Sequence, residues 1–68
     1  MHPNDHARLN ACWEKIASVP IEYHPFLRRL KHHQSHMAYR PLSQSARAKL
    51  SVVHNLLVTQ GLVDPVAA

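Results

Sequence analysis

Apolar residues recur along this chain with helical spacing, and no stretch sustains the alternation of a half-buried strand. At 100° per residue, Leu9, Cys12, Trp13, Ile16 and Val19 fall on one side of a first segment, with Asn10, Glu14 and Ser18 opposite. This predicts an amphipathic helix over about 4–18, with Asn4 or Asp5 as its cap. A second helix is predicted over about 25–39, where Phe26, Leu30 and Met37 lie within roughly 40° of one another and Leu27 lies beside them. Arg28, His32, Ser35 and Tyr39 oppose them. Arg28 and Tyr39 are about three turns apart, so a continuous helix puts them on one stripe. A third helix is predicted over about 43–60, with Ser43 as N-cap, Gly61 just past the end and Leu62 reaching back to Leu57. Ala46, Leu50, Val53 and Leu57 form its apolar stripe, and Val52 and Leu56 widen the arc to roughly 160°. Arg47, Ser51, His54 and Asn55 make a narrow polar face. The prolines fit this division: Pro3 and Pro25 can open helices, and Pro20 and Pro41 can close them.

Length turns the pattern into a fold expectation. Sixty-eight residues make one domain, and a domain of that size buries only about 60% of its unfolded surface. The usual supplements are a disulfide, a metal or self-association. Cys12 is the single cysteine, so no internal disulfide forms. The expectation is an all-α domain over 1–68 with two to three helices, two longer and a shorter middle one, associated as a side-by-side or intertwined homodimer. Trp13, Ile16, Leu30, Leu50, Val53 and Leu57 are the expected core. An apolar arc as wide as that of the third helix touches two neighbours, so Val52 and Leu56 are assigned to the second subunit, with Val53 and Leu57 beside them in the interface. The tail 64–68 is expected to fray.

Composition narrows the function. With 46% hydrophobic residues the chain folds, and its single glycine, Gly61, leaves no phosphate-cradling loop. The net charge is +4 with histidines neutral, and five of the eight cations are arginines. Such a balance favours acidic partners, protein or nucleic acid. The opening Met1-His2-Pro3-Asn4-Asp5 lacks the features of a signal peptide. No apolar run reaches the roughly 18 residues of a membrane span. A complete short reading frame in a reducing cytoplasm, with no membrane association, is the expectation.

The candidate chemistry is sparse. His2 and His6, and likewise His32 and His36, are spaced to share a metal ion, but a third ligand is missing: no Asp or Glu lies near His32 and His36, where Arg28, Arg29 and Lys31 would repel a cation. Cys12, at an apolar helix position, reads as a core thiol, not a nucleophile. Asp5, Glu14, Glu22 and Asp64 do not pair for acid–base work. No metal, cofactor or enzymatic activity is expected. What remains is the basic middle of the chain. Arginine and tyrosine on one helix face have the composition of an interface hot spot, so Arg28, His32 and Tyr39, flanked by Arg29, Arg40 and Tyr23, are the expected partner-binding residues. The expected partner is a host regulatory protein with an acidic surface.

Two resemblances bear on this reading. Leu42-Ser43-Gln44-Ser45, followed by Gln60-Gly61-Leu62-Val63, resembles the recognition helix of winged-helix repressors. That implies a DNA-binding regulator reading bases with Arg47, Ser51, His54 and Asn55. The helix is about three residues longer than is usual in that family, and no wing strands follow it. The second resemblance is of kind. A short, basic, glycine-poor helical chain is similar to the small proteins that phages and mobile elements encode to disable host regulators, such as anti-activators and anti-CRISPR proteins. That resemblance implies inhibition by binding.

Overall fold

Proline marks where the first two helices start. In the computed structural model, which describes residues 1–66, α1 spans Pro3–Glu14, α2 spans His24–His36 and α3 spans Gln44–Thr59. Pro3 and Pro25 stand in the first turns of α1 and α2, where a missing N–H removes no helical bond. Two 3₁₀ turns, Ile16–Ser18 and Ile21–Tyr23, join α1 to α2. There is no strand among the described residues.

The first two helices are shorter than their periodicity predicts. The segment predicted as helix over 4–18 leaves α geometry after Glu14, and Pro20 holds Val19 extended at φ −84° and ψ 132°. The cap of α1 is His2, whose Nδ1 accepts from the Asn4 N–H at 3.0 Å, in place of the expected Asn4 or Asp5. The helix predicted over 25–39 ends at His36, and Met37 departs to φ −138°, ψ 37°. Arg40 precedes Pro41, which disfavours continued α geometry there. Tyr39 therefore lies in a turn, closed by the Arg40 N–H donating to Met37 O at 2.9 Å, and shares no helix stripe with Arg28. The third helix ends as read. Ser43 Oγ accepts from the Ala46 N–H at 3.2 Å. Gly61 turns left-handed at φ 74°. Its N–H donates to Val58 O at 2.9 Å and the Leu62 N–H to Leu57 O at 3.0 Å, the two bonds of a Schellman ending. Of the tail expected to fray, residues 64–66 carry no regular structure and residues 67–68 lie outside those described.

α1 packs against both α2 and α3. Asp5 in the first turn of α1 meets Arg47 in the first turn of α3, and Gln34 near the end of α2 reaches His6 and Asn10 of α1. α1 and α3 thus start side by side, and α2 runs the opposite way. Leu9, Leu27, Leu50 and Val53 are wholly buried between them, each worth roughly 1.5–3 kcal/mol of burial. Trp13 and Ile16, expected in the core, pack on its edge and are only partly buried.

The orientation of α3 corrects two expectations. Val53 and Leu57 are buried inside this chain, so their side chains are not available to a second subunit. Only Val52, 53% exposed, and Leu56, 36% exposed, face outward. His54 is not on a solvent face either: it is 2% exposed. One residue of the supposed polar side, His54, thus turns inward, while part of the apolar arc, Val52 and Leu56, stays in solvent.

Candidate functional site

The side of α2 away from the core is cationic. Phe26, Leu27 and Leu30 point inward, which sends Arg28, Arg29, Lys31, His32 and His36 out into solvent. Among the described residues no carboxylate lies within ion-pair distance of Arg28, Arg29, Lys31 or Arg40, and the ion pairs all belong to Asp5, with Arg8 and Arg47. The turn after α2 adds Tyr39, 79% exposed, with the Arg40 guanidinium 5.9 Å from its ring centre. The structure places Arg28 and His32 on the exposed side of α2 and Arg29 and Arg40 along one groove, with Tyr39 on the turn instead of on the helix. Tyr23 is a correction. It is half-buried against the core, with the Lys49 ammonium 6.0 Å above its ring, and is not part of the exposed face.

The paired histidines adopt a geometry of their own. The rings of His32 and His36 stack at 4.2 Å with 16° between planes. His36 Nδ1 donates to His32 O at 3.2 Å, one turn back along the helix. Ring lone pairs lie in the ring plane, so two stacked imidazoles do not converge on one ion. His6 accepts from Gln34 Nε2 at 2.9 Å and so ties α1 to α2. No group of three His, Cys, Asp or Glu among the described residues is placed to hold a metal ion.

Beside the cationic face lies an open groove of ≈ 390 Å³. It runs between the second half of α2, the turn that follows and the first turn of α3. Leu30, Met37, Pro41, Leu42 and Ala46 give it an apolar lining, with Arg29, Arg40, His33 and Ser43 as its polar members. His33 Nδ1 is buried and has no hydrogen-bond partner.

The alternative DNA-reading face of α3 does not keep its residues free. Arg47 Nε donates to Asp5 Oδ2 at 2.9 Å. Asp5 is 2% exposed and also accepts from Arg8 at 3.4 Å. His54 is enclosed, with Nε2 buried and unpartnered; burial first, then the charge of Arg8, holds its pKa below the usual 6.5. Ser51 is half-buried, and Asn55 alone of the four stands fully in solvent. The signal for this arrangement was present: at 100° per residue Asp5 shares an angle with Leu9, Cys12 and Ile16, so it belongs to the buried face of α1. A carboxylate there needs a cation from another element.

The chain matches no family model, no curated protein and no solved structure. Cys12 is buried, and burial pushes its thiol up to about 11, which removes the thiolate that nucleophilic chemistry needs. No helix among the described residues is long and apolar enough to cross a membrane.

Proposed function

We propose that this protein acts by binding, not by catalysis: its cationic α2 face docks on an acidic, partly apolar surface of a regulatory protein and modulates or inhibits that protein by covering it. The observation that supports this is that Arg28, Arg29, Lys31 and Arg40 are all exposed and have no acidic partner among the described residues. Surface cations without internal partners are free to pair across an interface and to steer association with an acidic surface. Tyr39 with Arg40 adds the residue types that dominate interface energetics.

The test is affinity capture by the whole protein, compared with Arg28→Ala combined with Tyr39→Ala. Both side chains are exposed, so the fold should survive. Removing two anchors is expected to weaken partner binding by about 2 kcal/mol or more, roughly 30-fold. Equal capture by the variant refutes the face. A gel shift with duplex DNA at two salt concentrations separates the nucleic-acid reading: binding that falls steeply with salt assigns these cations to phosphates instead.

The outward Val52–Leu56 strip is the surface we assign to a second copy, making the protein a homodimer. Sedimentation of a monomer at micromolar concentration would remove that assignment.

A further inference from the structure

We infer that the groove between α2 and α3 is a ligand site for a small amphiphilic carboxylate, a single anionic group on an apolar body. The groove shares Arg29 and Arg40 with the docking face, but its apolar lining is its own and its ligand is a small molecule.

Three observations point to that chemistry. The space of ≈ 390 Å³ falls in the lower range of small-molecule pockets, about 300–1,000 Å³. Its lining is mainly hydrocarbon, from Leu30, Met37, Pro41, Leu42 and Ala46, which a hydrated inorganic ion would not use. Its cationic members are Arg29 and Arg40, which approach from different elements, α2 and the turn after it, and neither has an acidic partner among the described residues. A guanidinium presents paired donors matched to a carboxylate. Uncompensated arginines at the edge of an apolar hollow select a ligand with both characters.

The experiment uses the whole ¹⁵N-labelled protein and follows backbone amides by NMR during titration with octanoate, octanol and inorganic phosphate in separate arms. Octanoate at millimolar concentration is expected to shift the amides of Arg29, His33, Met37, Arg40, Ser43 and Ala46, with octanol and phosphate each at least about tenfold weaker, the loss expected when one charged hydrogen bond is removed. Arg40→Ala, a change on an exposed turn, is expected to weaken octanoate by about tenfold. Ala46→Leu is expected to block the hollow, with its fold checked by the same spectrum. Absence of octanoate shifts, or shifts centred on Val52 and Leu56, would overturn the site. Equal binding of octanol would overturn its charge selectivity, and equal binding of phosphate would overturn its apolar part.

Discussion

Asp5 offers the sharpest test of how this fold is held. It is 2% exposed, in the first turn of α1, and its carboxylate accepts from Arg47 Nε at 2.9 Å and from Arg8 at 3.4 Å. Asp5→Ala removes one short charge-assisted bond, one long one and a favourable charge at the start of α1. A hydrogen bond to a charged group is worth about 1.5–3 kcal/mol, the long contact adds little, and the helix-terminus term is about 0.5 kcal/mol. Arg47 is 48% exposed, so the abandoned guanidinium can turn to water, which keeps the loss below the 3–5 kcal/mol typical of a fully buried pair. The expected destabilisation is about 2–3 kcal/mol. A 68-residue domain has a total stability of about 3–10 kcal/mol. Thermal melts followed by far-ultraviolet circular dichroism should therefore show the midpoint falling by about 10–20 °C, since each kcal/mol moves a domain of this size by about 4–8 °C. The double variant with Arg47→Ala separates a specific pair from general damage. If the pair is the cause, the two losses are less than additive by about 1 kcal/mol or more. A midpoint within about 3 °C of wild type for Asp5→Ala, or strict additivity, would refute the view that this ion pair joins α1 to α3.

Other outcomes follow from single sites. Ser43→Ala should cost about 1 kcal/mol through the lost cap. Gly61→Ala should cost about 1–2 kcal/mol by urea titration, from left-handed strain alone, because an added Cβ at φ 74° meets nothing within 4 Å; a loss of 3 kcal/mol or more would contradict that open space. His54, whose folded pKa lies below 6.5, binds its proton less readily in the folded chain than in the unfolded one. Its stabilising contribution is therefore present above about pH 6.5 and is lost as pH falls below that value toward the folded pKa, at no more than about 1.4 kcal/mol per pH unit. His54→Leu, which also removes an unpartnered Nε2, should flatten the decline in urea-derived stability between pH 7 and pH 5, and an unchanged pH slope would sink the assignment. Cys12, buried with its thiol pushed up to about 11, should react with a disulfide reagent only as fast as the protein opens, so its labelling should track urea unfolding; prompt labelling of native protein would contradict its burial.

The helices were legible because their signals are local. Ser43 and Gly61 are adjacent in sequence to the helix they bound, and both perform the roles their residue types suggest. Helix ends ahead of a proline were legible only in outline. Pro20 and Pro41 were read as closures, but α1 ends at Glu14 and α2 at His36, well before either proline, and that displaced Tyr39 from α2 to a turn. In α3 the stripe of Leu50, Val53 and Leu57 is buried as read, and the misreading is His54, 2% exposed. Arg47 stays 48% exposed yet pairs with Asp5, 42 residues away. Helical periodicity within one segment carries no information about such a pairing.

That same pairing explains why α2 remains so cationic. The chain has four acidic side chains against eight Lys and Arg. Asp5 is committed inward to Arg8 and Arg47, and Glu14, Glu22 and Asp64 are exposed, with no ion pair to any described cation. α2 itself contains no acidic residue within His24–His36, so no i, i+4 ion pair can neutralise its face. Placing like charges together on a short helix is mildly destabilising, by a few tenths of a kcal/mol for each neighbouring pair. Phe26, Leu27 and Leu30 offset that cost on the opposite side by burial. A glutamate at an exposed α2 position such as Ser35 would relieve the repulsion without touching the core. The chain carries the mild strain instead, and the unneutralised charge makes this face the surface best suited to an acidic partner.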